Sequence, residues 1–261
     1  MSSRPDQDKN MDHIEGRNAV FEALAAGRPI NKLWVLSPEG GKKPDPALIK
    51  IMKLADEKGV PVTRVPRNTL DKMSDAKRHQ GVIALAAAHE YSDLDEVIAK
   101  VRSEGRAPFI VICDELKDSY NLGSILRISD AAGVDAVVIP ERRSVAVDSN
   151  VAKASAGAVE YVPVCRVTNI ASTMRDLKDD GFWIAGCDMD GDTTYDKADY
   201  SGSFAVVIGS EGSGIRDGVA KSCDFMISIP MTGHVNSLNA AVAAGIVIFE
   251  ASRMRREGKR S

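Results

Sequence analysis

The stretch that decides the fold is Val206-Val207-Ile208-Gly209-Ser210-Glu211-Gly212-Ser213-Gly214-Ile215. An unbroken apolar run enters a glycine-rich turn, and a helical pattern follows over 215–222. Such a run suits a strand buried on both faces, as in parallel sheets covered by helices. Outward from it, similar runs recur at Phe109–Cys113, Ala136–Ile139, Tyr161–Cys165, Phe182–Cys187 and Phe225–Ile229. Helical patterns fill the gaps at 122–132, 148–157 and 169–179, and a long one closes the chain at 237–257. This alternation across 108–261 predicts an α/β domain with a mainly parallel, open sheet.

Upstream, residues 13–88 read as a second, smaller α/β domain. Helices are expected at Asn18–Ala26, Pro46–Lys58 and Asn68–Ser74, and strands at Lys32–Leu36, Pro61–Val65 and Gly81–Ala87. Residues 1–12 are polar and aperiodic and read as a disordered tail, with order beginning near Ile14. Residues 89–107 are charged, helical in pattern and broken at Gly105 and Pro108, which marks a linker. The length of 261 residues accommodates both domains at roughly 150 residues each.

With 44% hydrophobic and 27% charged residues the composition is globular. No run reaches the roughly 18 to 20 apolar residues of a membrane helix, and the first residues lack the apolar stretch of a signal peptide, so the chain reads as cytoplasmic. Cys113, Cys165, Cys187 and Cys223 stand far apart, and His13, His79 and His89 lack ligand spacing. No metal site and no disulfide framework are expected.

The net charge of -3 argues against a protein that coats nucleic acid without specificity. It is unevenly spread, at +2 through residue 107 and -5 beyond it, with seven acids against one lysine between Asp179 and Asp199. That acidic stretch is expected to lie away from any nucleic acid. Basic residues gather instead at Arg64, Arg67, Lys72, Lys77 and Arg78, and again from Arg253 to Arg260.

In open α/β sheets ligands bind beyond the carboxyl ends of the strands, so the segments after Cys113, Ile208 and Ile229 carry the chemistry. The first, Asp114 to Arg127, places Asn121 as a natural N-cap and Gly123 where a backbone can approach closely, and it puts Arg127 on the first turns of a helix. The second is the glycine-rich turn itself. It resembles a phosphate cradle, yet its spacing is Gly-x-x-Gly-x-Gly, the Lys-Ser/Thr pair of a P-loop is absent, and Glu211 sits where phosphate oxygens would lie. A cationic or hydroxyl-bearing ligand suits it better than a pyrophosphate, which disfavours a dinucleotide oxidoreductase. The third, Ile229 to Gly245, ends a strand at Pro230 and leads through Ser237 or Asn236, the expected caps, into a helix rich in small residues. His234 beside Ser237 does not make a hydrolase, because no Gly-x-Ser-x-Gly elbow precedes it.

Together these segments closely resemble the three motifs of the SpoU (TrmH) family of RNA ribose 2'-O-methyltransferases, within the SPOUT superfamily. The matching residues are Asn121-Leu122-Gly123 with Arg127, Ile208-Gly209-Ser210-Glu211-Gly212 with Gly214, and Ile229-Pro230-Met231 with Ser237-Leu238-Asn239. Gly16 to Leu24 and His79-Gln80-Gly81-Val82 resemble signatures of the family's substrate-binding domain, which has a fold like ribosomal protein L30. The nearest subgroup methylates a guanosine ribose in the peptidyl-transferase loop of bacterial 23S rRNA. A departure is Asp118-Ser119-Tyr120-Asn121, where members often have Asp-Pro-His-Asn.

The resemblance implies S-adenosylmethionine as methyl donor, a carboxyl-terminal trefoil knot and a homodimer. It implies donor contacts from Gly209, Ser210, Gly214, Ile229, Met231 and Leu238, and a reaction centre of Asn121, Arg127, Glu211, Ser237 and Asn239. RNA contacts are expected from Arg17, Asn18, Arg64, Arg67, Lys77, Arg78, His79 and Gln80. A methyltransferase acting on tRNA, one conferring antibiotic resistance through rRNA, and a non-catalytic ribosome assembly factor are the alternatives.

Overall fold

A computed structural model describes residues 11–38, 45–74, 78–234 and 237–257. The chain divides into two compact units, one comprising residues through Glu90 together with Val147–Tyr161, the other comprising Tyr91–Ala146 with the residues from Val162 onward.

The first unit is a four-stranded sheet with helices. Its strands are β1 (Met11–Glu15), β2 (Ile30–Leu36), β3 (Val62–Val65) and β4 (Val82–Ala87), in the order β1-β4-β2-β3. Only the β2–β3 pairing is parallel. The alternation of Leu33 and Val35 with Lys32 and Trp34 buries one face of β2, against helices α1 (Arg17–Ala26) and α2 (Pro46–Glu57). Helix α2 starts where the sequence provides for it, with Asp45 accepting the Ala47 N–H at 2.9 Å and Pro46 in the first turn. Helix α3 (Arg67–Met73) follows β3.

Strand β1 was not legible as a strand. Its Met11 and Asp12 fall in the stretch expected as a disordered tail, but their backbone pairs with Ala87 and Ala86 at the sheet edge. The linker reading of 89–107 is likewise corrected. Residues 94–103 form helix α4 (Leu94–Ser103), capped by Asp93 on the Glu96 N–H, and its Ile98 enters the core of the second unit.

The second unit holds a seven-stranded sheet in which every pairing is parallel. Its strands are β5 (Phe109–Cys113), β6 (Ala136–Pro140), β7 (Val164–Val167), β8 (Trp183–Cys187), β9 (Thr193–Thr194), β10 (Phe204–Ile208) and β11 (Phe225–Ser228). Their order is β7-β6-β5-β10-β8-β11-β9. All five residues of β5, β6 and β10 are buried, as their continuous apolar runs require. Helices α4, α7 (Ile170–Asp179) and α8 (Asp217–Ala220) cover the face carrying Ile110, Ile112 and Val207. Helices α5 (Ser119–Ala132) and α9 (Ala240–Glu257) pack on each other, and Arg255 of α9 lies over the Phe109 ring of the opposite face.

The segment Val147–Tyr161 departs from this alternation. It forms helix α6 (Ser149–Ala154) and a 3-10 turn at Ala158–Glu160, and these pack on β1 and α1 of the first unit. Arg28 there donates to Glu160 at 3.0 Å and to Asp12 at 2.9 Å, and Tyr161 donates to Glu22 at 2.6 Å. The strand expected at Tyr161–Cys165 therefore starts later, at Val164, because Tyr161 belongs to that polar contact.

Candidate functional site

The site is built on the carboxyl ends of β5, β8, β10 and β11, the place that the parallel sheet dictates. Strand β10 is inserted between β5 and β8, so the chain order reverses there and leaves a crevice at the end of β10. A cavity of about 370 Å³ opens at this point, lined by the 208–214 turn, by Cys187 at the end of β8 with Asp188 and Met189 beyond it, and by Ile229, Met231, Ser237 and Leu238. That volume falls among small-molecule sites.

The glycine-rich turn is closed by reciprocal backbone bonds between Ser210 and Gly214, each 3.0 Å. Gly209 is required by proximity, because a Cβ there would lie 2.2 Å from the Gly214 carbonyl carbon and 2.4 Å from the Ile215 nitrogen. Beneath the turn, the buried Asp114 at the end of β5 accepts the Arg216 backbone N–H at 2.9 Å and its guanidinium at 2.6 Å. This pair raises the Arg216 pKa, chiefly through the Asp114 bond, and it ties the turn to the strand that leads into the first motif.

Two cap assignments change. Asp118, not Asn121, caps α5 by accepting the Tyr120 N–H at 2.8 Å. Asn121 therefore falls in the first turn, 6% exposed, with its side chain directed at the other motifs. Likewise Asn239, not Ser237, caps α9, its Oδ1 accepting the N–H groups of Ala241 at 3.0 Å and Val242 at 3.2 Å; Asn236 lies outside the described residues.

These shifts bring three expected residues together. Asn121 Nδ2 donates to Glu211 Oε1 at 2.6 Å, and Asn239 Nδ2 donates to Asn121 Oδ1 at 3.0 Å and to the same Glu211 oxygen. The orientations follow in sequence: the helix N–H groups hold Asn239 Oδ1, so its amide must donate inward, and Asn121 must then receive on its oxygen and give to Glu211. Three motifs from separate elements thus form one directed hydrogen-bond chain at the mouth of the cavity.

Arg127 is not part of that chain. Six residues beyond Asn121, it stands about 120° around α5 and roughly 9 Å along it. It is exposed, and its side chain makes no hydrogen bond or ion pair among the described residues. Its helix lines an open groove of about 440 Å³ with α9, formed by Ser124, Ile128, Asn239, Val242, Gly245 and Ile246.

In the first unit, Arg17 pairs with Asp45 at 2.9 Å and donates to the Gln80 carbonyl at 3.0 Å. Asn18, Arg64, Arg67, Arg78 and Gln80 are exposed, and Lys77 lies outside the described residues. His79 is a correction. It is 2% exposed, accepts the Gly81 N–H on Nδ1 at 3.0 Å and meets Asp71 through Nε2 at 3.1 Å, so it shapes the turn into β4 and presents nothing to RNA. The basic tail is also engaged, Arg253 with Glu250 and Glu257, and Arg255 with the carbonyls of Ala107, Tyr200 and Gly202.

Sequence reasoning missed Asp188 and the Asp114–Arg216 pair. Asp188 follows the parallel strand β8, so the rule that singled out the other three strand ends also applied to it.

The cavity fits the implied donor. Its wall has no cationic side chain among the described residues but includes two carboxylates, which suits a sulfonium and opposes a pyrophosphate. Among the described residues no cluster of metal-binding side chains occurs, and no helix is long and apolar enough to cross a membrane.

Comparison with known proteins agrees in both units. Residues 108–249 match the SpoU rRNA Methylase family, and residues 13–92 match the RNA 2'-O ribose methyltransferase substrate-binding family. A Staphylococcus aureus protein described as a TrmH family tRNA/rRNA methyltransferase is 48% identical over 244 residues, covering 94% of this chain and 96% of the relative. A Staphylococcus haemolyticus protein of the same description matches equally. Among solved structures, the SpoU methyltransferase AviRb from Streptomyces viridochromogenes in complex with AdoMet superposes with a TM-score of 0.79 at 23% identity, over 98% of this chain and 96% of that one. The AdoMet-bound rRNA methyltransferase from Sinorhizobium meliloti gives 0.77 at 24% identity, over 95% and 88%. At that identity both likenesses speak to the fold.

Proposed function

The chain belongs to the SpoU family of RNA 2'-O-ribose methyltransferases, which use S-adenosylmethionine, and from that premise we propose that it methylates one guanosine ribose in the peptidyl-transferase loop of 23S rRNA. The observation that carries the reading is the Asn121–Glu211–Asn239 chain at the mouth of the donor cavity.

The donor supplies an electrophilic methyl on a sulfonium, so transfer needs no metal and depends on positioning. Gly209, Ser210, Gly214, Ile229, Met231 and Leu238 hold the donor, largely through the backbone of the cavity wall. Asn121, Glu211, Asn239 and Ser237 surround the ribose and fix the direction of its hydroxyl. Arg127 offers donors and no acceptor, so it is no general base. Its role is to bind the phosphate beside the target ribose and stabilise charge as the hydroxyl proton leaves.

The exposed apolar stripe of α9, with Val242 51% and Phe249 46% exposed beside the half-buried Ile246, supports a homodimer across this face. The SPOUT trefoil knot of the carboxyl-terminal region belongs to the same proposal. Residues 13–88 recognise RNA through Arg17, Asn18, Arg64, Arg67, Lys77, Arg78 and Gln80, a small set consistent with one folded target.

Mapping ribose methylation by mass spectrometry in rRNA and tRNA from cells with and without the gene tests the target. Loss of a single 23S guanosine methyl is expected, and loss of a tRNA methyl instead makes this a tRNA enzyme. Arg127→Ala is expected to bind the donor and lose methylation; near-wild-type turnover refutes its role.

A further inference from the structure

The donor cavity contains a carboxylate with no assigned role. Asp188 sits at the end of β8, and its Oδ1 accepts the Asp190 N–H at 3.2 Å, closing a local turn. Its Oδ2 faces the glycine-rich turn, where a Cβ added to Gly214 would come within 3.3 Å of it. Gly214, at φ +63°, provides the room for that approach. No ion pair to Asp188 exists among the described residues, and no cationic side chain lines the cavity among them.

The two carboxylates of the cavity differ in what they can do for a ligand. Glu211 is engaged by the amides of Asn121 and Asn239 at the end of β10, which places it at the reacting ribose. Asp188 stands at the end of the neighbouring strand, level with Gly209 since Cys187 pairs with Ile208, and among the described residues its Oδ2 accepts from no protein donor. A negative group held there, in a wall of Ile229, Leu238 and Ala240, acts across a medium that screens it less than water.

We infer that Asp188 is the counter-charge through which the cavity distinguishes the cationic sulfonium donor from the neutral thioether product. The reaction itself removes the positive charge when the methyl leaves, so the attraction is present for the donor and absent for S-adenosylhomocysteine. Both molecules carry the same amino-acid and adenosine parts, and only the charge at sulfur separates them. Asp188 thereby favours donor capture and product release without touching the acceptor ribose.

The test is calorimetric binding of S-adenosylmethionine and S-adenosylhomocysteine to the full-length protein, wild type and Asp188→Asn, in the absence of RNA. The substitution preserves size and the oxygen that caps the Asp190 turn. Donor affinity is expected to fall about tenfold, while affinity for S-adenosylhomocysteine changes less than twofold. Asp188→Glu, which restores the charge, is expected to recover most of the donor preference and serves equally if the asparagine variant folds poorly. An equal loss for both ligands would mean that Asp188 binds a shared part of the molecule, and no change for either would mean that it faces no ligand; each overturns the inference.

Discussion

Asn239→Asp tests the directed hydrogen-bond chain with the smallest perturbation. The substitution replaces one NH2 by an oxygen and leaves the atom that caps α9, since aspartate caps helices as well as asparagine does. Helix α9 should therefore remain intact, and any loss of stability at pH 8 reports the repulsion inside the site rather than a lost cap. Inside the site the change is large. The donor to Glu211 and to Asn121 Oδ1 is lost, and an oxygen replaces it at hydrogen-bond distance from a carboxylate. Two negative charges about 3 Å apart repel by roughly 1 kcal/mol if fully hydrated and roughly 5 kcal/mol at the effective dielectric of a protein surface. Both side chains are open to solvent on one side, so about 3 kcal/mol is the reasonable middle. Spent against the transition state, this amounts to about 10²-fold in kcat/KM. Donor affinity, governed by the far side of the cavity, should change little. The two carboxyls can share one proton as pH falls, which turns repulsion into a hydrogen bond. The folded variant then binds a proton that the unfolded chain lacks, so its stability and activity relative to wild type rise from pH 8 toward pH 5.5. Labelled methyl transfer at both pH values, with calorimetric donor binding, reads all of this. Activity within threefold of wild type at pH 8, or a deficit that does not shrink at lower pH, refutes the chain of orientations.

Gly209→Ala forces a methyl into the backbone of Gly214 and Ile215, so the turn must open; more than tenfold weaker S-adenosylmethionine binding in a folded protein is expected by calorimetry, and unchanged binding would sink the close-approach argument. Arg216→Ala leaves the fully buried Asp114 carboxylate with the backbone N–H alone. Because Arg216 is itself 39% exposed, the low end of the buried-pair cost applies, about 3 kcal/mol. That corresponds to a melting-temperature drop of roughly 6 to 10 °C, whereas a drop under about 2 °C would contradict it. His89, whose pKa burial and then the nearby Arg28 lower from 6.5 to about 4, takes up its proton more readily when unfolded than when folded. Its contribution is complete above pH 6.5 and is lost as pH falls toward 4, so His89→Gln should flatten the acid limb of the stability curve by up to about 3 kcal/mol. An acid limb identical to that of wild type would count against it.

The parallel core was legible because a strand buried on both faces leaves no polar residue to break the apolar run, as in Phe109–Cys113 and Phe204–Ile208. Edges carry no such signature. In strand β1 Ile14 is fully buried while Asp12, His13 and Glu15 are polar, and β9 is two threonines long, so pairing rather than pattern makes them strands. The excursion of 147–161 onto the first unit was hidden for a related reason: its anchors, Glu160 and Tyr161, are polar, and the Arg28 and Glu22 that meet them are distant in sequence.

The site was legible as a set of residues and not as a geometry. Asp118 and Asn121 are both good caps three residues apart, and Asn236, Ser237 and Asn239 offer a similar choice. Spacing cannot decide between them, because the decision lies in which oxygen meets the first free N–H groups of the helix. That decision is also the functional one. Capping by Asp118 releases the Asn121 side chain to the site, and capping by Asn239 fixes which of its two amide atoms faces Glu211. The same N-terminal backbone groups that begin α9 thus set the polarity of every hydrogen bond back to Glu211, so a shift of one cap by two residues would preserve the helix and dismantle the proposed reaction centre.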